Sequence, residues 1–310
     1  MLNLRVELFG ADHAEALADL AGRAYAAFGS EARPRDTPAF VAHMQGDENP
    51  AGRAWVAVAE QGGVCVGNVS AIPSRFRTRD GRTVTGYQIG YFTIDGSQQR
   101  KGIGARLLEE LRAVLRAQAD SFVYGYPNRR SFAVLDRLGF QQVCEVRTWI
   151  HAPAPFRSPT PGTIAPEAAA ASLADLPGGE GGPLGFVRDA AYFRWRFCGP
   201  DAGERYHFVR DGDLLLALAH HRFKGLGFTI LVDAFPDRLA GAYPEVLKAA
   251  RAASGGPLYV TTNMKGPMGI RVPRSLDPRP VPLLVDPVDS AIDLVELAGV
   301  PLMTADWMGF

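Results

Sequence analysis

The sequence has no excess of charge of either sign, no long apolar run and little cysteine. Its 310 residues include 33 basic and 33 acidic ones, so no bulk field draws the protein towards nucleic acid. No segment approaches the ~20 apolar residues that span a bilayer, and the N-terminus lacks the basic stretch and apolar run of a secretory signal. We therefore expect neither a membrane nor a nucleic acid as partner, and any bound anion must be held by a local site.

The three cysteines, Cys65, Cys144 and Cys198, lie far apart and form no C-x-x-C pair. This pattern favours free thiols in a reducing cytoplasm, where we expect the protein to be located. His220 and His221 are adjacent on a predicted strand, so their side chains face opposite sides and cannot hold one metal ion together. The sequence therefore predicts no metal site.

Composition and the distribution of proline and glycine indicate two domains. Hydrophobic residues make up 47% and charged residues 21%, the profile of a globular protein with a core. Residues 152–183 are rich in proline, glycine and alanine and include the run DLPGGEGGP, which is typical of a loop. We therefore predict a first domain at residues 1–151, a linker at 152–183 and a second domain at 184–310.

The first half has the pattern of a mixed α/β domain. Apolar alternation predicts its strands, and apolar residues at helical spacing predict its helices. An Asp-Gly hairpin turn is predicted at Asp80-Gly81. Gly86 and Gly90 lie inside a strand, where glycine often marks a bulge or the close approach of a ligand. The predicted strands are residues 2–9, 53–60, 64–72, 83–94, 122–126 and 140–150, and the predicted helices are 12–28, 105–119 and 129–138.

The second half repeats part of this order. Three predicted strands, at residues 206–210, 214–221 and 228–234, are followed by a helix at 240–253 and a strand at 258–262. The order strand, strand, strand, helix, strand is that of residues 53–126. It indicates an internal duplication whose two copies share little residue identity.

The most informative segment is Gln99–Ala105 (QRKGIGA), between a predicted strand and an amphipathic helix. Glycines at 102 and 104 let the backbone approach an anion closely, and the first amides of the helix have no intrahelical partner. Arg100 and Lys101 add positive charge. A P-loop would need G-x-x-x-x-G-K-[ST], and a dinucleotide fingerprint would need a glycine where Leu107 stands. The segment therefore predicts a phosphate site of another kind.

A family resemblance extends from this segment through the following elements. The Q-x-x-G-x-G pattern is followed by a helix, a strand, Pro127-Asn128, a second helix and Leu138-Gly139-Phe140. Over residues 3–151 this order and spacing resemble the GCN5-related N-acetyltransferase (GNAT) superfamily. The resemblance implies an α/β fold with a mixed, mostly antiparallel sheet, flanked by helices and splayed between the strands at 83–94 and 122–126. The second half lacks the glycine pattern, so we predict a smaller, degenerate GNAT-like domain there.

The resemblance also implies that acetyl-CoA lies in the splay as cosubstrate. Its pyrophosphate would meet the amides of the glycine loop, and its pantetheine arm would follow the edge of residues 92–95 with an asparagine on the opposite wall. The implied coenzyme-binding residues are Phe92, Ile94, Gln99, Arg100, Lys101, Gly102, Ile103, Gly104, Ala105 and Asn128.

Acetyl transfer to an amine needs a proton acceptor, and the departing thiolate benefits from an acid. Many GNAT enzymes place a tyrosine acid five residues before the phenylalanine of the LGF motif, but this position is Leu135 here. Tyr126 is our candidate for the acid, although packing at a sheet edge would also explain it. Asp95 is either a base or a turn residue in front of Gly96. The alternative acids on neighbouring strands are Tyr87, Tyr91 and Tyr124.

The sequence thus predicts an N-acetyltransferase that moves an acetyl group directly to a small-molecule or peptide amine in a ternary complex. A CoA- or acyl-CoA-binding regulatory protein without turnover is the alternative that Leu135 suggests. An aminoacyl-tRNA-dependent transferase of the FemX type is a third hypothesis, and it would need a basic groove that zero net charge does not indicate. We expect the second domain to shape the acceptor site, to cover the sheet of the first domain or to mediate a homodimer.

Overall fold

The computed structural model divides the chain into two compact units. The described residues are 1–26, 37–152, 162–173, 185–200, 202–223, 226–235, 239–264, 269–272, 281–288, 290–298, 300 and 302. The first unit consists of Met1–Phe76, Thr83–Val143 and Leu283–Leu294, and the second of Arg77–Arg82, Cys144–Pro282 and Val295–Phe310. Each unit is therefore assembled from segments that are discontinuous in sequence.

Both strands and helices occur in each half of the described chain. The strands are β1 (Leu2–Leu8), β2 (Trp55–Gln61), β3 (Val64–Arg77), β4 (Thr83–Ile94), β5 (Ser121–Gly125), β6 (Gln141–His151), β7 (Thr163–Ile164), β8 (Gly185–Phe186), β9 (His207–Asp211), β10 (Leu214–Phe223), β11 (Leu226–Phe235), β12 (Leu258–Thr262), β13 (Ile270–Arg271) and β14 (Val281–Val285). The helices are α1 (Ala11–Ala26), α2 (Pro38–Gln45), α3 (Ile103–Arg116), α4 (Arg129–Arg137), α5 (Pro166–Ser172), α6 (Ala190–Phe197), α7 (Ala202–Arg205), α8 (Leu239–Ser254) and α9 (Leu294–Ala298).

The sheet of the first unit has the strand order β1-β2-β3-β4-β5-β14. The pairs β1–β2, β2–β3 and β5–β14 are antiparallel, whereas β4 and β5 are parallel. The α/β fold with a mixed, mostly antiparallel sheet is therefore confirmed. The position of β14 is not foreseen by the sequence: Leu284 lies opposite Gly125 and Val285 opposite Tyr124, so a segment from near the end of the chain completes the first sheet.

Helix α3 anchors the core of this unit. Its apolar residues recur at helical spacing, and they pack against inward-facing residues of β2, β3 and β4. The buried stripe of α3 consists of Ile103, Leu107, Leu108, Leu111 and Leu115. The predicted helix is thus confirmed, and it begins two residues earlier than the sequence pattern indicates. Helix α2 is an additional element: it begins with Pro38 and is capped by Thr37, whose hydroxyl oxygen accepts from the Phe40 amide at 3.3 Å.

The second unit has its own sheet, in the order β6-β12-β11-β10-β9-β7, with β13 beside β6. Strands β9, β10 and β11 form an antiparallel meander, and β12 pairs with β11 in parallel after helix α8. Helix α6 packs on one face of this sheet through Phe193 and Phe197, and α8 packs on the other through Val246 and Leu247.

The predicted boundaries at residues 151 and 184 differ from this division. Residues 147–151 of β6 pair with β12, which places the end of that strand in the second unit. The predicted linker also contains β7, which pairs with β9, and the alanine-rich helix α5, whose Ala169 and Ala170 are buried. The remainder of the predicted linker, residues 153–161 and 174–183, lies outside the described residues.

Candidate functional site

Strands β4 and β5 separate before β4 ends. Their parallel pairing runs from Thr85 opposite Ser121 to Ile89 opposite Gly125. Strand β5 ends there, whereas β4 continues to Ile94. Residues 90–94 of β4 therefore have no partner in β5, and the sheet is open between the carboxyl ends of these two strands. This is the splay that the family resemblance implies.

The backbone of β4 is irregular at one residue of the open part. Tyr91 has φ +46°, in the left-handed region that non-glycine residues rarely occupy. The side-chain amide of Asn68 donates to the Tyr91 carbonyl oxygen at 3.0 Å and lies 3.2 Å from the Ser70 hydroxyl. Asn68 is buried, so it holds the irregular segment from inside the sheet. The sequence carries a signal for this role, a polar residue within the apolar run VCVGNVSAI, but neither the glycine pattern nor the family resemblance includes it.

The glycine loop joins the open end of β4 to α3. After a short 3-10 helix at Gly96–Gln98, the Gln99 side-chain amide donates to the Ile94 carbonyl oxygen at 3.3 Å. Arg100 has φ +63° and Gly102 has φ +76°, so the chain turns twice through the left-handed region. Glycine meets this requirement at 102 without strain, whereas Arg100 adopts it at a conformational cost.

The start of α3 presents a row of unbonded amides. Gly102 is the N-cap residue and no side chain caps the helix. The first bond of the helix runs from the Arg106 amide to the Gly102 carbonyl oxygen at 3.2 Å. Within the described part of the chain, the backbone amides from Lys101 to Ala105 donate to no acceptor. These donors lie at the positive end of the helix dipole, and the exposed side chains of Arg100 and Lys101 add charge beside them.

The two glycines of the loop have different structural roles. A Cβ on Gly102 would meet no atom within 4 Å, so this residue is needed for its backbone conformation. A Cβ on Gly104 would lie 2.7 Å from Cε2 and 2.9 Å from Cζ of Phe92. Gly104 therefore lets α3 pack closely on the Phe92 ring in the open part of β4, and its missing side chain does not point to an open anion site.

The space beside Gly86 is also filled by aromatic side chains. A Cβ there would lie 2.8 Å from Cζ of Phe122 and 3.0 Å from Cε1 of Tyr124. The close approach at Gly86 is thus made by aromatic side chains of β5 and not by a ligand. At Gly90 a Cβ would lie 3.8 Å from Cδ1 of Ile72, an ordinary contact distance.

Helix α4 follows β5, and it has Asn128 as its N-cap residue and Leu135 in its second half. The Asn128 side-chain oxygen accepts from the amides of Arg130 at 2.9 Å and Ser131 at 3.1 Å, so Asn128 caps α4. Its side-chain nitrogen donates no hydrogen bond to the residues that the structure describes. Leu135 is buried in the core, with Cδ2 3.3 Å from the Cβ position of Gly125. The position expected to carry an acid is therefore an apolar packing site.

The candidate tyrosines fall into two groups. Tyr87 and Tyr124 are buried in the core, and burial raises the pKa of the Tyr87 hydroxyl. Tyr126 is half-buried and directly follows the end of β5, and its ring meets that of Tyr124 edge-on with centroids 6.0 Å apart. Tyr91 is half-buried in the open part of β4. Tyr91 and Tyr126 are the half-buried members of this set, and both lie at the carboxyl ends of the separating strands.

Asp95 has partners that account for it as a turn residue. Its Oδ1 accepts from the Ser97 hydroxyl at 2.7 Å and the Ser97 amide at 2.9 Å, and its Oδ2 accepts from Arg23 Nε at 3.2 Å. The hydrogen bonds from Ser97 are the main cause that lowers the pKa of Asp95, and Arg23 adds to the effect. A carboxylate with a lowered pKa is a weak base, so Asp95 is poorly suited to accept a proton from an amine.

The cysteine thiols are poorly suited to act as nucleophiles. Burial raises the pKa of Cys144 to about 11, and burial also raises the pKa of Cys65 and Cys198. Thiolate is the nucleophilic form, so all three thiols are weakly reactive near neutral pH.

Among the described side chains, no three His, Cys, Asp or Glu residues are grouped to hold a metal ion. No helix in the described part of the chain is long and apolar enough to cross a membrane.

Comparisons with known proteins agree with this geometry. The family model described as "Acetyltransferase (GNAT) domain" matches residues 9–143. Similar solved structures include a GCN5-related N-acetyltransferase from Anabaena variabilis, with a TM-score of 0.61 and 10% identity over 91% of this chain and 72% of that one. A probable N-acyltransferase from Enterococcus faecalis has a TM-score of 0.57 and 14% identity over 91% of this chain and 72% of that one. A GCN5-related N-acetyltransferase from Kribbella flavida has a TM-score of 0.57 and 11% identity over 92% of this chain and 71% of that one.

At these identities the solved structures are evidence for the fold alone. A comparison with curated protein sequences gives no match. The family match covers α1 to the start of β6 and so includes the glycine loop, the open strands and the Asn128 cap. Residues 9–143 match the GNAT acetyltransferase family, and the solved structures named above share the fold.

Proposed function

We propose that the first unit binds acetyl-CoA and transfers the acetyl group to an amine. The observation that carries the proposal is the row of amides from Lys101 to Ala105, which have no acceptor among the described residues. Amide donors at a helix N-terminus are suited to a pyrophosphate. The helix start also touches the open part of β4, since Gly104 lies against Phe92. A ligand bound by these amides would therefore continue into the splay.

The residues around the splay fit the remaining parts of the coenzyme. Acetyl-CoA would supply the activated acetyl thioester. The backbone of Phe92–Ile94 has no partner in β5, so it can hydrogen-bond the amides of the pantetheine arm as an added strand would. Asn128 uses its side-chain oxygen for the α4 cap, which leaves the side-chain nitrogen as the donor towards this arm. Arg100 and Lys101 would act as exposed charges near the phosphates, and Ile103 and Ala105 would contribute backbone amides.

Catalysis would depend mainly on positioning. The amine must lose a proton and the departing thiolate must gain one, but Leu135 occupies the position of the expected acid. Tyr126 directly follows β5 at the edge of the splay, and its buried hydroxyl would donate this proton to the thiolate and regain the proton that the amine loses. Asn68 would act as a positioning residue, because it holds the Tyr91 carbonyl where β4 leaves regular geometry. Correct placement of two reactants can itself supply several kcal/mol of the barrier.

Transfer would be direct, in a ternary complex of enzyme, acetyl-CoA and amine. An acyl-enzyme route would need an activated nucleophile, and burial raises the pKa of all three cysteine thiols. The acceptor would be a small-molecule or peptide amine in its neutral form.

The buried Leu135 motivates a second candidate function. A domain that binds acyl-CoA without a dedicated acid could act as a regulatory sensor and not as an enzyme. The two functions share the coenzyme site, so binding alone does not separate them, whereas steady release of CoA in the presence of an amine does.

We infer that the second unit is a GNAT-like copy without coenzyme binding. The order β9, β10, β11, α8, β12 repeats β2, β3, β4, α3, β5, including the parallel final pair. The parallel pairing of β11 with β12 also stops early, at Leu231 opposite Val260, while β11 continues to Phe235. The segment Phe235–Gly241 that follows has no paired glycines, and Pro236–Arg238 lie outside the described residues. This unit would shape the acceptor site or mediate a homodimer.

The test is a thiol assay of CoA release by the full chain with small amines, amino sugars and peptides. We expect acetyl-CoA to bind by calorimetry and at least one amine to give steady CoA release. The catalytic proposal fails if acetyl-CoA binds but no amine in a broad panel gives turnover, and that result would favour the sensor. Absence of acetyl-CoA binding would overturn both functions.

A further inference from the structure

Three charged side chains and a tyrosine, none of them used in the proposed acetyl transfer, meet inside the second unit. Arg188 precedes α6, Tyr192 and Arg196 lie one turn apart on α6, and Asp233 lies near the end of β11. The aromatic run YFRWRF on α6 suggests from sequence either a helix packed on the sheet or the lining of a pocket. Phe193 and Phe197 do pack on the sheet, but Arg196 is buried with them.

A bulge in β11 turns Asp233 towards α6. The pairing with β10 passes from Ala217 opposite Asp233 to Leu218 opposite Leu231, so Val232 has no opposite residue. Val232 and Phe235 belong to the apolar cluster that contains the α6 phenylalanines. The extra residue places the Asp233 carboxylate among the same α6 side chains, fully buried.

Both oxygens of Asp233 are already bonded. Arg188 Nε donates to Oδ1 at 3.1 Å, and the Ala234 amide donates to the same oxygen at 2.9 Å. The Tyr192 hydroxyl donates to Oδ2 at 3.2 Å. Arg188 is therefore the ion-pair partner of Asp233, and its guanidinium is as buried as the carboxylate.

Arg196 has no comparable partner. It is 5% exposed, and its Nε and Nη2 atoms are buried without a hydrogen-bond acceptor in the described part of the chain. The two arginines and one aspartate of this cluster carry a surplus positive charge. Burial raises the pKa of Asp233, while the positive charge of Arg188 and, more weakly, that of Arg196 oppose the rise, so Arg196 is close enough to Asp233 to interact electrostatically without a hydrogen bond to it. A protonated Asp233 would only enlarge the surplus, because a guanidinium stays protonated.

We propose that Arg196 is the binding group of a second ligand site, in the second unit, for a small carboxylate anion. A buried cation without hydrogen bonds is strongly unfavourable, so its burial points to an anionic partner. The free Nε and Nη2 donors form a planar fork that matches the two oxygens of one carboxylate. A carboxylate also carries the single negative charge that balances the cluster. The site goes beyond the proposed acetyl transfer and does not depend on it.

The experiment uses the full chain and acetate as the probe. Equilibrium dialysis with radiolabelled acetate should give saturable binding, and Tm should rise by a few degrees in potassium acetate relative to potassium chloride of the same ionic strength. Arg196→Met should weaken acetate binding at least tenfold and abolish the rise in Tm. Arg194→Met is the matched control, because Arg194 is exposed on the same helix. It should bind acetate as the parent does.

Two further arms keep the test decisive. Arg196→Lys retains the charge without the fork, so it should fold and bind acetate more weakly than the parent even if Arg196→Met does not fold. Potassium phosphate at equal ionic strength should raise Tm less than acetate does. The proposal is overturned if the parent binds no acetate, if the Arg196 variants bind it as the parent does, or if only phosphate is effective. Acetyl-CoA affinity, measured in the same variants, should be unchanged.

Discussion

Arg112 and Asp286 form a bidentate ion pair inside the first unit although 174 residues separate them in the sequence. Arg112 Nε donates to Oδ2 at 2.7 Å and Nη2 donates to Oδ1 at 2.8 Å. The third nitrogen, Nη1, donates to the Leu138 carbonyl oxygen at 2.9 Å, and the guanidinium lies 5.1 Å from the centre of the Phe140 ring. The pair thus links α3, which starts at the glycine loop, to the segment that follows β14.

Removal of one partner of this pair should destabilise the protein severely. Asp286→Ala leaves the buried Arg112 charge without compensation, and we expect a loss of ~3–5 kcal/mol in the free energy of unfolding. Urea denaturation would measure it. The double variant Arg112→Met with Asp286→Leu should recover most of the loss, because it buries no charge. A loss below ~1 kcal/mol for Asp286→Ala would show that solvent reaches the pair.

Gly102→Asp should weaken acetyl-CoA binding at least tenfold relative to Gly102→Asn. Both side chains tolerate the left-handed conformation and both meet open space at this position, so the two variants differ mainly in charge. The carboxylate would repel the pyrophosphate and compete for the amides at the start of α3. Calorimetry on both folded variants is the measurement. Equal acetyl-CoA affinities of the two variants would show that the pyrophosphate does not bind at this helix end.

Gly104→Ala should act through packing instead of charge. Its Cβ would lie 2.7 Å from the Phe92 ring, so α3 or the ring must shift, and we expect a loss of ~1–3 kcal/mol in stability. Phe92→Leu in the Gly104→Ala background should recover part of the loss, whereas the two changes would simply add if the residues were independent. A double-variant cycle by urea denaturation would measure the coupling.

Tyr126→Phe should lower turnover while leaving acetyl-CoA affinity nearly unchanged, since the ring remains. General acid catalysis typically contributes ~10²–10⁴-fold, and a loss near the lower end is expected if solvent partly replaces the hydroxyl. The alkaline limb of the pH–rate profile should also change, because the hydroxyl must be protonated to donate. Tyr124→Phe in the core is the control. If Tyr126→Phe matches the parent in turnover and pH profile, the tyrosine only packs against Tyr124.

Cys144 should be inert towards iodoacetamide at pH 8. Its pKa is raised to about 11, so the reactive thiolate is absent below that range and grows only as pH rises towards it. Mass spectrometry of the native and urea-unfolded protein would compare the extents of alkylation, with modification expected only after unfolding. Cys144→Ala should retain turnover, and an acetylated Cys144 peptide from a reaction mixture would contradict direct transfer.

Local patterns predicted the first unit well because its signals are short-range. The stripe on α3, the glycine loop and the turn at Asp80-Gly81 each lie within a few residues of sequence, and the structure has all three. The roles of Gly86 and Gly104 could not be read in this way. At each position an aromatic ring from another element occupies the space that a Cβ would need. A local sequence pattern does not predict which distant side chain fills that space.

The long-range contacts are harder to predict for the same reason. Nothing in the run VPLLV at 281–285 assigns β14 to one sheet or the other, and its pairing with β5 is accompanied by a contact far away in sequence, between Arg112 and Asp286. Arg196 follows the pattern of an amphipathic arginine on a helix surface, yet it is buried. Its environment is set by the bulge at Val232, which a strand pattern does not disclose.

The position of β14 has a consequence for biosynthesis. Strand β5 is complete at Gly125, but its antiparallel partner contains Leu284 and Val285, which are translated much later. At ~5–20 residues per second, on the order of ten seconds pass while the edge of β5 lacks this neighbour. An unpaired strand edge is a template for association with other chains. The nascent first unit is therefore exposed to aggregation and chaperone capture until the ribosome has translated β14.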